Sequence, residues 1–145
     1  MLVQAGVTTF CIAPGARSTC LVLAINDLPD IDIVTHYDER SLAFFALGVA
    51  KDKHKPVVVI TTSGSAVANL IPAAVEAFNL HTPLVFITAD RPKELHGCGA
   101  NQVLNQEALL QSCTMHQFFM PAPSIHVKDK LKFEEQLISR LHKSY

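Results

Sequence analysis

Val57-Val58-Val59-Ile60-Thr61-Thr62-Ser63-Gly64-Ser65 joins an unbroken β-branched run to a hydroxyl-rich turn with a glycine in it. A β-branched run without polar alternation predicts a strand, Val57 to Thr61, buried on both faces, as in a parallel sheet covered by helices. Ser63-Gly64-Ser65 predicts the start of a long helix reaching Asn79, with Ser63 as an ordinary N-cap. The same rhythm recurs on either side. Val7 to Ala13 reads as a first strand, Pro14-Gly15-Ala16-Arg17 as a turn, and Ser18 as the cap of a helix to Asp27. Ile31 to His36 reads as a second strand followed by a helix from Asp38 to Lys53. Leu84 to Thr88 reads as a fourth strand ending in Ala89-Asp90-Arg91-Pro92. Beyond it lie a short helix (Asn105 to Ser112), a strand (His116 to Met120), a break at Pro121 and Pro123, and an amphipathic helix from Val127 to His142. Strands separated by helices imply right-handed crossovers. The expected fold class is therefore α/β, an open parallel sheet with helices on both faces.

The 145 residues, 49% hydrophobic and 17% charged, suit one compact domain with a real core. A formal net charge of -1 argues against a nucleic-acid surface. Apolar runs are too short to span a membrane, and no basic n-region with an apolar stretch marks a signal peptide. Cys11, Cys20, Cys98 and Cys113 form no CxxC pair, so reduced thiols in a cytoplasmic protein are expected. Cys113 and His116 are spaced like ligands, but no second pair completes a four-ligand set, so no metal site is assigned to this chain. Met1 to Gly6 reads as the last turn of a helix with Gly6 as its C-cap. With a terminal helix that stops at Tyr145, this gives the expectation of one domain taken from a larger protein.

The notable polar residues fall at the carboxyl ends of the expected strands, the edge where open α/β sheets bind ligands. Thr35-His36-Tyr37-Asp38-Glu39-Arg40 places Glu39 where a strand gives way to a helix. There a carboxyl group can occupy a partly dry pocket with a raised pKa and exchange a proton with a bound cofactor. The plainer reading is an Asp-Glu cap complementing the helix dipole. Pro14-Gly15-Ala16-Arg17-Ser18 offers free N–H groups and a bidentate donor to a carboxylate or phosphate, or is simply a tight turn with a solvated Arg17. Thr61 to Ala66 lets the backbone approach a flat ligand closely, but lacks the lysine of a P-loop and the spacing of a GxGxxG fingerprint. Arg91, then Gly97-Cys98-Gly99-Ala100-Asn101-Gln102, reads as a polar wall or as a surface loop whose amides support turns.

Read in order, Ala13-Pro14-Gly15-Ala16-Arg17-Ser18-Thr19, Tyr37-Asp38-Glu39-Arg40, Thr62 to Asn69, Thr88 to Leu95 and Cys98 to Gln102 resemble one enzyme family. It is the 2-succinyl-5-enolpyruvyl-6-hydroxy-3-cyclohexene-1-carboxylate synthases, thiamine-diphosphate enzymes of menaquinone synthesis. The resemblance covers nearly the whole chain, strongly from Gly6 to Gln102. It implies a thiamine-diphosphate pyrimidine-binding domain over residues 1–145, with the central and diphosphate-binding domains absent. It implies decarboxylation of 2-oxoglutarate and transfer of the succinyl unit to isochorismate. Glu39 would hydrogen-bond the aminopyrimidine ring nitrogen and so serve as both catalytic and cofactor-binding residue. Thr62, Ser63 and Gly64 would lie along the pyrimidine. Arg17, Arg91, Asn101 and Gln102 would hold isochorismate. Mg2+ or Mn2+ would be held by the diphosphate domain, and the full-length enzyme would be a cytoplasmic homodimer or homotetramer, with this domain inactive alone. The chain departs from the family at Ala16, where a serine is usual, which removes one hydrogen bond to substrate, about 1 kcal/mol. A different thiamine-diphosphate decarboxylase or acetolactate-type synthase, and a free-standing non-catalytic binding module, stay open as alternatives.

Overall fold

The computed structural model describes residues 2–120. Expectations at Met1, Pro121 and Pro123, and the helix from Val127 to His142, lie outside the described residues. Four parallel strands, β1 (Thr9–Ile12), β2 (Asp32–Thr35), β3 (Val57–Thr61) and β4 (Leu84–Thr88), form one sheet in the order β2-β1-β3-β4. Cys11 pairs with Val34 on one side and Val59 on the other, and Val59 with Phe86. β3 is buried along its whole length, as its unbroken β-branched sequence requires, whereas β2 is an exposed edge.

The helices α1 (Thr19–Asn26), α2 (Glu39–Lys53), α3 (Ser65–Ala68), α4 (Ile71–Asn79) and α5 (Gln106–Leu110) cover the sheet. On one face Leu42, Ala43, Ala46 and Ala50 of α2 and Ala73 of α4 pack with Cys11, Val57 and Val59. On the other, Ile25 of α1 joins Phe10, Ile12, Val58 and Ile60. The α/β class and its two-faced covering therefore hold. Chain order reverses between β1 and β3: β1 connects outward to β2 on one side, and β3 leads to β4 on the other. The carboxyl ends of β1 and β3 thus mark the switch point, the edge at which such sheets take ligands.

Residues 2–6 form the helix-ending turn expected of them. Gly6 has a left-handed φ of 91°, its N–H donates to Val3 O at 3.0 Å, and that of Val7 to Leu2 O at 3.1 Å, a Schellman arrangement. The single helix expected from Ser63 to Asn79 is instead two, α3 and α4. Pro72 stands in the first turn of α4, where it has no N–H for the carbonyl of Ala68 and its ring would crowd that carbonyl. The expected strand at His116–Met120 does not form. The preceding turn Gln111–Cys113 is 3-10, and Gln117 Nε2 donates to Thr114 Oγ1 at 3.1 Å; among the described residues β4 is the sheet edge. Among the described residues no helix is long and apolar enough to cross a membrane. All four cysteines are free thiols; Cys11 and Cys113 are buried, and burial pushes the Cys11 thiol up to about 11.

Candidate functional site

The start of α2 divides labour between two acidic neighbours. Asp38 is the N-cap: its Oδ1 accepts from the N–H of Ser41 at 2.6 Å. Hydrogen bonds from Ser41 hold the Asp38 carboxyl below its ordinary range. A depressed carboxyl contributes its stabilisation above the unfolded-state value and loses it only as pH falls through the lowered one, so the cap survives into acid. With capping done by Asp38, Glu39 is released for other work. It is partly exposed, and its Oε2 accepts from Asn69 Nδ2 at 3.0 Å. Asn69 stands in the break between α3 and α4, a place no helical periodicity would single out.

The loop after β1 is a 3-10 turn, Ala16–Ser18, that precedes α1. Ser18 does not cap α1 through its side chain, contrary to expectation. Its Oγ donates to the carbonyl of Gly15 at 2.9 Å. Gly15 lies directly against Thr62, and a Cβ at that position would overlap the threonine side chain. The ends of β1 and β3 are thereby pressed together at the switch point.

Ser63 is likewise not a cap. Gly64 holds the N-cap position of α3 with φ 82° and ψ -136°, a conformation suited to glycine. Thr62 and Ser63 are buried, and neither Thr62 Oγ1 nor Ser63 Oγ has a hydrogen-bond partner. Such orphaned buried hydroxyls are uncommon and require an explanation. Arg91 Nε, at the end of β4, is a further buried polar atom without a partner.

The loop of residues 97–102 closes over this edge. Arg17 Nη1 donates to Gln102 Oε1 at 2.7 Å. Gln102, itself at a left-handed φ of 57°, backs onto Gly64, whose added Cβ would come within 2.9 Å of Gln102 Cα. Asn101 is exposed beside it. Of the expected residues, Arg17, Thr62, Ser63, Gly64 and Gln102 come together in one network, whereas Arg91 meets Asp90 and His96 through its backbone. Glu39 joins the β3–α4 connection through Asn69.

Gln106 carries a role that sequence reasoning missed. It is buried in α5, its Oε1 accepting from Gly64 N–H at 2.8 Å and its Nε2 donating to Ala89 O at 3.0 Å. One amide thus ties the turn after β3 to the end of β4. Gln106→Leu is expected to strand both backbone groups and cost about 1–3 kcal/mol, read as a lower denaturation midpoint with an unchanged m-value. The helix start itself was legible from Asn105, whose Oδ1 accepts from Ala108 N–H at 3.2 Å, but nothing in the sequence marks Gln106 as buried. Two hollows of about 310 Å³ lie elsewhere, one beside Gln111 and Met115, one beside Phe44 and Phe45. They hold none of the clustered strand-end polar groups, so the chemistry points to the open edge rather than to them.

Comparison with known proteins adds two findings. Residues 1–111 match the family described as thiamine pyrophosphate enzyme, N-terminal TPP binding domain. The chain is also similar to three proteins named 2-succinyl-5-enolpyruvyl-6-hydroxy-3-cyclohexene-1-carboxylate synthase. That of Aliivibrio fischeri is 49% identical over 97% of this chain and 23% of its own length. That of Vibrio parahaemolyticus is 47% identical over 91% of this chain and 24% of its own length. That of Halobacterium salinarum is 48% identical over 86% of this chain and 21% of its own length. The chain spans about a quarter of the length of the relatives it matches.

Proposed function

Because the chain belongs to the thiamine pyrophosphate enzymes, as an N-terminal TPP binding domain, we propose that it is the pyrimidine-binding domain of a synthase that decarboxylates 2-oxoglutarate and adds the succinyl unit to isochorismate. Its relatives are about four times longer and carry that synthase name, which supports both the reaction and the need for further domains. Mg2+ or Mn2+ would be bound outside this chain, by a diphosphate-binding domain, and the working enzyme would be a cytoplasmic homodimer or homotetramer.

The observation that carries this reading is the placement of Glu39 beside a sheet edge with orphaned hydroxyls. The residues fit an aminopyrimidine. Thr62 Oγ1 and Ser63 Oγ are buried and unpartnered, and Glu39 offers a carboxylate. When bound, thiamine diphosphate supplies the acidic carbon that takes up the 2-oxo acid and accepts the electron pair left by loss of CO2. The chain's part is positional and protic. Glu39 would share a proton with the ring nitrogen of the aminopyrimidine. Thr62, Ser63 and Gly64 would lie along the ring, which would give the two unpartnered hydroxyls a polar neighbour. Arg17 and Arg91, with Asn101 and Gln102, bind the carboxylates of isochorismate, the planar guanidinium matching a carboxylate bidentately. The hydroxyl missing at Ala16 is one contact fewer in the same wall.

The assignment is tested by supplying the complete protein with thiamine diphosphate, Mg2+, 2-oxoglutarate and isochorismate. The succinyl adduct is expected as product; condensation of pyruvate alone would assign an acetolactate-type synthase instead. Arg17→Ala and Arg91→Ala are each expected to raise the KM for isochorismate about 10- to 100-fold, the worth of a charge-assisted hydrogen bond. Decarboxylation of 2-oxoglutarate without acceptor should be nearly unchanged in both. Equal losses in the two assays would refute the division of labour.

A further inference from the structure

We infer that Asn69 is a positioning residue for Glu39, selecting which carboxyl oxygen presents its proton to the cofactor; this rests on the reading of Glu39 just given. Asn69 Nδ2 donates to Glu39 Oε2 at 3.0 Å across 30 residues of sequence. A carboxylate accepts hydrogen bonds and cannot donate them, so only the NH2 end of an amide serves there. A proton on Oε2 would face that N–H head-on. The contact therefore favours negative charge on Oε2 and the shared proton on Oε1, the oxygen left for the ring nitrogen. One lone pair satisfied in advance leaves one productive orientation of the carboxyl group, and no search among rotamers on binding.

The backbone on both sides of the pair is anchored. Val67 and Leu70 flank Asn69 and are fully buried, while Leu42 and Ala43 follow Glu39 into the core at 1% and 0% exposure. The break that turns Asn69 outward is set by Pro72, which stops α3 from running into α4. Leu70 N–H donates to Val67 O at 3.1 Å and Ala74 N–H to Leu70 O at 2.9 Å, so the helical ladder restarts after Asn69. A pair exposed to solvent is here held by buried neighbours, which lowers the entropy cost of keeping it formed. Asparagine is specifically required: an aspartate of the same shape would set a second carboxylate within hydrogen-bond distance of the first.

The test uses the complete protein carrying Asn69→Ala, Asn69→Asp, Glu39→Ala and the Asn69→Ala/Glu39→Ala pair. Three quantities are read: the melting temperature without cofactor, the affinity for thiamine diphosphate with Mg2+ by calorimetry, and steady-state kinetics. Asn69→Ala is expected to keep its melting temperature and both KM values. Its kcat and its cofactor affinity should each fall about tenfold, the worth of one charge-assisted hydrogen bond. Asn69→Asp, isosteric but unable to donate, should be worse than Asn69→Ala. In the Glu39→Ala background the Asn69→Ala loss of affinity should vanish, because its route of action is gone. An undiminished loss in that background overturns the inference, as does a fall in melting temperature that accounts for the defect, or an Asn69→Asp protein equal to the native one. The two readings fail separately. Normal turnover in Glu39→Ala removes the role of Glu39 itself, whereas a silent Asn69→Ala beside a crippled Glu39→Ala removes only the role of Asn69.

Discussion

Replacing Glu39 by glutamine in the complete protein is expected to lower cofactor-dependent turnover by about 10²- to 10⁴-fold, the range a positioned proton donor or acceptor contributes. The substitution keeps the shape of the side chain and an oxygen able to accept from Asn69 Nδ2. It removes only the exchangeable carboxyl proton. Asp38, not Glu39, caps α2, so the helix should form as before and the melting temperature should move little. A collapse of turnover with the fold intact therefore isolates the proton. Turnover within a few-fold of normal would show that the carboxyl group is not what activates the cofactor.

Gly64→Ala is expected to damage the fold at this edge severely, costing about 2–6 kcal/mol. Two effects combine. Gly64 has φ 82°, where a side chain strains the backbone by about 1–3 kcal/mol. Its Cβ would stand 2.9 Å from Gln102 Cα, and a backbone atom cannot step aside, so overpacking adds about 1–3 kcal/mol. The damage should also spread. Gln106 accepts from the Gly64 N–H, and Gln102 holds Arg17, so displacing Gly64 moves the loops after β1 and β4 together. Thermal unfolding of the complete protein checks the magnitude; a loss under about 0.5 kcal/mol, ordinary for a surface substitution, would contradict the packing described here. Gly48, with open space at its Cβ position and an ordinary helical setting, provides the contrast: Gly48→Ala should be neutral or slightly stabilising.

The sheet was legible because its signal is local. Val57–Thr61 and Leu84–Thr88 are found where their apolar runs stand, since strands of a parallel sheet covered by helices read as nearly continuous apolar segments. The two-faced covering followed from the alternation of strands and helices. What the sequence concealed was held by tertiary contacts. Ser18 and Ser63 have the residue type of N-caps, yet one donates to Gly15 O and the other is buried with its hydroxyl unspent. Pro72 is the exception, a local signal that a helix running on from Ser63 overlooks, since a proline cannot bond the carbonyl four residues earlier. Asn69 and Gln106 are amides whose partners, Glu39 and Gly64, lie 30 and 42 residues away. No spacing rule links such pairs. The site residues were legible as a class, polar groups at strand ends, and the order of strands explains why they meet: the reversal between β1 and β3 brings Gly15 against Thr62.

In the function proposed above, Glu39 addresses the aminopyrimidine of thiamine diphosphate at the sheet's carboxyl edge. A structure of the complete protein with thiamine diphosphate and Mg2+ bound measures this directly. The account predicts Glu39 Oε1 about 2.6–3.0 Å from the pyrimidine ring nitrogen, with Oε2 still on Asn69 and the Thr62 or Ser63 hydroxyl engaged. A ring bound away from this edge, or one that meets the edge with Glu39 turned to solvent, would contradict it.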